Sequence, residues 1–181
     1  MIEDVRYVQI RSMDVANGEY LGCSVFFQGC PFHCKGCFNE ETWDMEGGKP
    51  WTSETTDEVL ELVKEGHLKR ISFLGGEPMI DRNISLLADL LDKIKDIRAD
   101  ITVWVYSGYV FESLLERAKS NSQILDVMRN IDYLVDGQFK EDLKDFKLRF
   151  RGSSNQRILD MKESMRGMKP VLDERLMKLR E

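Results

Sequence analysis

Short apolar runs alternate with helical patterns along this chain, and no other sequence feature constrains its fold as strongly. The runs that read as strands lie at 20–27, 70–74, 101–106 and 131–136. The helical patterns cover about three turns after Thr55, then 82–97, about 110–119 and about 123–129. Thr55 and Glu58 have capping-box spacing, which predicts the start of the first helix. Strands that alternate with helices indicate crossover units around a mostly parallel sheet.

The length of the chain limits how many such units it can hold. A closed eight-unit barrel takes about 250 residues, or roughly 31 per unit. The 181 residues therefore have room for at most about six units. We predict an α/β fold: a partial, open (βα)-barrel of about five to six units with a mostly parallel sheet.

Charge and hydropathy exclude two classes of protein. The 26 basic and 32 acidic residues give a net charge of −6, whereas sequence-independent binding of nucleic acid relies on Lys and Arg. The longest charge-free stretch, 20–34, is 15 residues long, and a membrane-spanning helix needs about 20. The acidic N-terminus lacks an apolar signal core. We therefore expect no nucleic-acid or membrane partner, and a cytoplasmic protein with reduced cysteines.

All four cysteines lie within 15 residues, and Cys30, Cys34 and Cys37 form a C-x3-C-x2-C array. Three thiolates on one loop can bind three irons of a 4Fe–4S cluster and leave the fourth iron open. Two alternatives remain: a zinc site completed by Cys23 or His33, and a redox pair of Cys34 and Cys37. A small buried side chain is the favoured interpretation of Cys23.

Small and polar residues follow the predicted strands. They are GC at 29–30, GGEP at 75–78, SG at 107–108 and DGQ at 136–138. Parallel α/β sheets place their binding sites at the carboxyl ends of the strands, where glycine lets a ligand approach the backbone. We therefore expect these four loops to share one site.

The C-x3-C-x2-C array, followed about 40 residues later by GGEP, resembles the pattern of the radical S-adenosylmethionine (SAM) superfamily. More narrowly, the chain resembles the activating proteins of anaerobic ribonucleoside-triphosphate reductases. The matching stretches are GCPFHCKGCFNEETW, ISFLGGEP, VWVYSGY, and VDGQFKEDLKD running on to RGSSNQR. The match ends near residue 157, so we predict one domain at 1–157 and a helical extension of it at 158–181.

The resemblance implies a set of site residues. The cluster ligands would be Cys30, Cys34 and Cys37, and the methionine amino group of SAM would be bound by Gly75, Gly76 and Glu77. Gly36 and Phe38, on either side of Cys37, would line the adenine of SAM. Gly36 stands where many members have an aromatic residue, so Phe38 is the candidate for packing on the adenine. The expected ribose or carboxylate contacts are Ser107, Asp136 and Gln138.

The resemblance also implies a function. A flavodoxin- or ferredoxin-like donor would reduce the cluster, SAM would be cleaved reductively, and a glycyl radical would form on the large subunit of the reductase. The alternatives are a pyruvate formate-lyase-type activase or another small radical SAM enzyme and, from a different class, a non-catalytic zinc-binding interaction module. Outside the site, we expect Trp104 and Tyr106 to pack in the sheet, 151–156 to form a turn with a serine N-cap, and 140–144 to be a solvated face.

Overall fold

The computed structural model of the protein describes residues 4–179. Its strands are β1 (Arg6–Asp14), β2 (Gly22–Phe27), β3 (Lys49–Pro50), β4 (Arg70–Gly75), β5 (Thr102–Ser107), β6 (Tyr133–Asp136) and β7 (Arg157–Asp160). Its helices are α1 (Ser53–Lys64), α2 (Asp81–Ile97), α3 (Phe111–Arg117), α4 (Gln123–Asn130), α5 (Met161–Gly167) and α6 (Glu174–Met177). Among residues 4–179, no helix has both the length and the apolar character needed to cross a bilayer.

All seven strands belong to one sheet, in the order β3-β1-β2-β4-β5-β6-β7. The neighbours β2, β4, β5 and β6 run parallel, and helices connect them: α1 before β4, α2 before β5, and α3 with α4 before β6. This confirms the predicted α/β class and the mostly parallel sheet. All four predicted strands and all four predicted helices are present, although β2 begins at Gly22 rather than residue 20.

The predicted partial, open barrel of five to six units is not confirmed. The sheet is open, with three parallel pairings in residues 4–179, and antiparallel strands flank them on both sides. The antiparallel neighbours are β1, which pairs with β2, and β7, which pairs with β6. An antiparallel neighbour needs no helical crossover, so the chain forms fewer (βα) units than its length allows.

Helices of the main core cover one face of the sheet. We call the opposite face of the sheet the free face. Alternate side chains of the parallel strands, such as Val25, Phe73 and Val105, pack against the helices in the main core, and none is measurably exposed. Side chains of opposite orientation, such as Phe26 and Leu74, lie on the free face. A second cluster there contains Trp104, Val135, Ile158 and Leu176. The predicted packing role of Trp104 is thus confirmed, and the free face remains available for a cavity.

The N-cap of helix α1 lies three residues before the predicted one. The capping box is formed by Thr52 and Thr55, not by Thr55 and Glu58. The Thr52 hydroxyl accepts a hydrogen bond from the Thr55 N–H at 3.3 Å, and the Thr55 hydroxyl accepts one from the Thr52 N–H at 3.3 Å. The buried Trp51 donates its indole N–H to the Thr56 hydroxyl at 2.9 Å, which fixes the chain where it enters the helix.

Two edge regions differ from the prediction. The long strand β1 was not predicted, because its charged and half-exposed residues lack a clear period of two. The segment 158–181 was predicted as helical; it contains α5 and α6 but begins inside β7, which pairs with β6. A boundary at residue 157 therefore falls within a strand. Residues 1–3 and 180–181 of the predicted ranges lie outside the described residues.

Candidate functional site

The cysteine loop leaves the end of β2 through a glycine and is tied back to the segment that follows it. Gly29 has a positive φ of 94° and donates its N–H to the Thr42 carbonyl at 2.7 Å. The Cys30 N–H bonds to the Trp43 carbonyl at 3.2 Å, and the Cys37 N–H bonds to the Cys34 carbonyl at 3.0 Å. These bonds close the loop into a compact turn that carries all three cysteines of the array.

The GGE end of β4 lies directly against the start of this loop. The Gly76 N–H donates to the Phe27 carbonyl and the Glu77 N–H donates to the Gly29 carbonyl, both at 2.8 Å. A Cβ at Gly76 would lie 2.4 Å from the Gly29 oxygen, and Gly75 has a positive φ of 102°. The two glycines are therefore required for the approach of two backbones, quite apart from any ligand.

A cavity of about 440 Å³ lies where the cysteine loop meets the carboxyl ends of the parallel strands. Its wall contains the three cysteines of the array and all four predicted loops, through Cys30, Gly75–Glu77, Ser107–Gly108 and Gly137–Gln138. Phe26, Leu74 and Tyr106 give it an apolar floor on the free face of the sheet. Its volume is within the range of about 300–1,000 Å³ that small-molecule sites occupy.

The cysteine side chains fit an iron–sulfur cluster. Burial raises the pKa of Cys30 to about 11 and also raises the pKa of Cys34, with the neighbouring Cys37 as the next cause. The free thiols of Cys30 and Cys34 are therefore protonated near neutral pH, and metal binding would release their protons. The Asn39 N–H donates to the Cys37 Sγ at 3.4 Å, and N–H···S bonds of this kind tune iron–sulfur clusters.

The described donors do not form a site for one ion. Within residues 4–179, no three His, Cys, Asp or Glu side chains converge closely enough to hold a single metal ion. A cubane does not need that convergence, because each thiolate binds a different iron. Cys23 is 1% exposed in the main core, as predicted, and the His33 ring stacks on Trp43 at 4.8 Å.

Glu77 lies at the centre of the strand-end edge and is 1% exposed. Its carboxylate accepts hydrogen bonds from the Met79 N–H at 2.9 Å, the Ser107 hydroxyl at 2.8 Å and the Gly108 N–H at 2.6 Å. Burial raises the pKa of Glu77 to about 7, although these hydrogen bonds oppose the rise. The carboxylate thus joins the ends of β4 and β5 on the cavity wall.

Comparison with known proteins agrees with this site. Residues 16–159 match the model of a family described as "4Fe-4S single cluster domain". Curated relatives named anaerobic ribonucleoside-triphosphate reductase-activating protein align over most of both chains. The Escherichia coli (strain K12) protein is 36% identical over 157 residues, which are 84% of this chain and 96% of the relative. The Pasteurella multocida (strain Pm70) protein is 33% identical over 156 residues, 85% of this chain and 96% of the relative.

The Vibrio cholerae (serotype O1) relative is 36% identical over 156 residues, 85% of this chain and 97% of its own. The chain belongs to this family of reductase-activating proteins. The match covers 96–97% of the length of these three relatives.

The residues that the family resemblance suggested for SAM do not all line the cavity. Phe38 and Gln138 do, and the Phe38 ring is 5.4 Å from the Phe139 ring. Gly36 and Asp136 are not among the lining residues. The Asp136 carboxylate, 1% exposed, accepts from the Phe111 N–H at 2.8 Å and from Arg157, so it links α3, β6 and β7. A contact of Gly36 or Asp136 with SAM stays a prediction.

Sequence reasoning missed the segment 139–156, between β6 and β7, as part of the site. Its cavity-lining residues are Phe139, Lys144, Asp145, Phe146, Leu148, Phe150, Arg151, Gly152 and Gln156. The predicted solvated face at 140–144 is exposed, yet Lys144 also lies on the cavity wall. The predicted serine N-cap in 151–156 is wrong, because β7 follows that turn and Asp160 caps α5. The phenylalanines within a charged run were the available signal.

Proposed function

We propose that this family member binds a 4Fe–4S cluster through Cys30, Cys34 and Cys37, binds SAM in the adjoining cavity, and generates the glycyl radical on the large subunit of an anaerobic ribonucleoside-triphosphate reductase. The observation that carries the proposal is the sharing of one cavity by the three cysteines and the Gly75–Glu77 strand end. The relatives' printed function and the matching 4Fe–4S family model support it.

In this proposal, Cys30, Cys34 and Cys37 would hold the cluster, which when bound would supply the one-electron reduction that cleaves SAM. Gly75, Gly76 and Glu77 bind the methionine amino group. Next to that ammonium the Glu77 carboxylate becomes fully ionised, because a nearby positive charge lowers the pKa of an acid. The remaining contacts are proposed for Gly36, Phe38, Ser107, Asp136 and Gln138.

The rest of the chain positions the groups and keeps water away from them. Phe26, Leu74 and Tyr106 form a floor with little polar surface for water to bind. We propose a flavodoxin- or ferredoxin-like protein as the electron donor. We also propose a cytoplasmic location, because a reducing compartment keeps the three thiols free for the cluster.

Anaerobic reconstitution with iron and sulfide, followed by SAM, a reductant and the reductase, tests the proposal. We expect a stoichiometric cluster, formation of methionine and 5′-deoxyadenosine, and a glycyl signal in electron paramagnetic resonance. Stoichiometric zinc without iron would support the interaction module instead. A glycyl signal on pyruvate formate-lyase but not on the reductase would assign the chain to the other type of activase.

Single substitutions test the ligand set. Replacing Cys30, Cys34 or Cys37 by Ala should each abolish SAM cleavage and lower the bound iron, since a cubane normally needs all its thiolates. Cys23→Ala is the matched control: its side chain is equally small but lies in the core, so cleavage per folded molecule should be kept. Equal loss at Cys23 would show that the ligand set is wrong.

A further inference from the structure

Residues 137–143, which we call the cover segment, lie against the outer side of the cysteine loop. The Phe139 backbone lies close to the Cys34 thiol. The Phe139 ring lies 5.4 Å from the Phe38 ring, one residue after the last cysteine. The Lys35 ammonium is 3.0 Å from the Glu141 carboxylate. The cover segment therefore contacts the loop beside two of its three cysteines.

The stretch RGSSNQR, residues 151–157, holds the cover segment in place through hydrogen bonds to the backbone of that segment. The Gln156 side-chain oxygen accepts from the N–H groups of Gly152 at 2.8 Å and Ser153 at 3.1 Å, while its NH₂ donates to the Gly137 carbonyl at 3.0 Å. The Ser153 hydroxyl accepts from the Lys140 N–H at 3.1 Å. The Asn155 amide donates to the Gln138 carbonyl at 2.8 Å.

These contacts differ in how strongly they hold the cover segment in place. The Lys35 and Glu141 side chains are 89% and 44% exposed, and exposed ion pairs contribute little. The Gln156 amide is only partly exposed and uses both its ends, so it ties the turn at 152–153 to the start of the cover segment. Its bond to Gly137 is the one that a single atom change removes.

We propose that Gln156 is a positioning residue that holds the cover segment over the Cys34 side of the cluster and so limits the access of water and small solutes to it. This inference rests on the proposed cluster. It gives the RGSSNQR stretch a role inside the molecule: the stretch anchors the cover segment and itself lines the cavity through Arg151, Gly152 and Gln156.

Gln156→Glu tests the anchor. A carboxylate still accepts from Gly152 and Ser153 but cannot donate to the Gly137 carbonyl. Hydrogen exchange in the metal-free protein should become faster at the amides of 139–143. Release of iron from the reconstituted protein to a chelator, followed anaerobically, should become about fivefold faster or more, the effect of losing one such bond on an opening equilibrium. The matched control is Lys147→Gln at an exposed position of the same region.

Gly152→Ala is a second, independent variant. A Cβ there would lie 2.9 Å from the Phe139 ring and 3.0 Å from the Phe38 ring, so it should separate the cover segment from the cysteine loop without changing Gln156. It should accelerate iron release in the same direction. Unchanged exchange at 139–143 in Gln156→Glu would overturn the anchor, and faster exchange with unchanged iron release would overturn the shielding role.

The two proposals fail in different ways. A wild-type protein that binds no iron overturns the proposed function and, with it, the shielding role. If the wild-type protein binds a cluster but both variants release iron at the wild-type rate, only the inference about Gln156 is overturned. The same holds if Lys147→Gln accelerates the release as much as the two variants do.

Discussion

At the end of β4, Gly75 and Gly76 allow two backbone segments to approach each other closely, whether or not a ligand is bound. The family resemblance assigns them to the methionine end of SAM, and the structure adds the approach of β4 to the cysteine loop. The Gly76 position leaves no room for a side chain, because the nearest atom is a backbone carbonyl, which cannot rotate away. A change at this position should therefore disturb the fold and the cluster loop together.

Gly76→Ala should lower the free energy of unfolding by about 1–3 kcal/mol, the usual cost of inserting a methyl group into a filled space. It should also reduce the iron retained after reconstitution, because the start of the cysteine loop must shift. Denaturant unfolding of the metal-free protein and iron analysis measure the two effects.

Gly66→Ala is the matched control for Gly76→Ala, since no heavy atom lies within 4 Å of the Cβ that it would add. We expect its stability and iron content to equal those of the wild type. If Gly76→Ala also matched the wild type in both measurements, the tight approach of β4 to the cysteine loop would be refuted.

At the scale of elements, α1 shows how a sequence pattern can place a helix N-cap at the wrong residue. Thr55 has a glutamate three residues after it and another threonine three residues before it. Both spacings fit a capping box, but only Thr55 and Glu58 have the usual residue types, so the sequence pattern favours the wrong pair. The pairing of Trp51 with Thr56 decides in favour of the earlier position, because it buries the indole at the helix entrance.

Thr52→Ala should destabilise the protein by about 1 kcal/mol, because the Thr55 N–H loses the side chain that caps it. Glu58→Ala, at the exposed position of the wrongly predicted box, should change the stability by no more than about 0.5 kcal/mol. Thermal or urea unfolding of both variants measures the difference. The reverse order of effects would restore the original prediction.

At the scale of the whole molecule, a buried polar network joins β1, β2 and β4 at the end of the sheet away from the cysteines. Arg70, with no measurable exposure, donates to the Asn17 carbonyl at 3.0 Å and to the Glu19 carbonyl at 3.1 Å. The Asp14 carboxylate accepts from the Asn17 amide and from the Ala16 N–H, both at 2.6 Å, and from Ser24. The network holds the β1–β2 connection across the free face.

The Asp14 carboxyl should give the protein an acid-sensitive contribution to stability. Burial by itself would raise its pKa, but hydrogen bonds from Ser24, Ala16 and Asn17, together with Arg70, lower the pKa below its ordinary value of 3.8. A lowered pKa contributes stability above that ordinary value, and the contribution is lost as the pH falls through the folded-state pKa. The free energy of unfolding should therefore fall more steeply below about pH 4 in the wild type than in Asp14→Asn.

Urea unfolding between about pH 2.5 and pH 6 tests this difference in slope. At neutral pH, Asp14→Asn should be less stable by about 3 kcal/mol or more, because it leaves the buried charge of Arg70 without the carboxylate that faces it. Parallel curves for the two proteins below pH 4 would show that Asp14 is not the group responsible.

The last strand, β7, is an integral part of the fold and not an appendage to it. Ending the chain after Arg157 would remove Ile158 and Leu159, which have no measurable exposure, and would uncover the edge of β6. We expect loss of cooperative unfolding, seen by circular dichroism. A chain that ends after Lys178 keeps β7 and the buried Leu176, so it should unfold like the full chain. Cooperative unfolding of the shorter chain would contradict this account.

The sequence by itself determined the features that depend on near neighbours. Helical and strand periods are local, so α2, β4 and β5 could be predicted within a few residues. The spacing of the three cysteines and the glycines of GGEP is written directly in the chain. Because parallel strands end at one edge, the meeting of these loops at one cavity also followed from the pattern.

Only the tertiary structure decided the contacts between distant residues. Asp136 ends β6 and Gln138 follows it two residues later, yet Arg157, 21 positions away, engages the Asp136 carboxylate, and the cavity wall does not include Asp136. The Gln156 side chain donates a hydrogen bond to the Gly137 carbonyl, 19 positions away in the chain. Strand β1 forms because it pairs with the edge of β2. No local period records such pairings: their stability comes from burial and hydrogen bonds that exist only after the chain has folded.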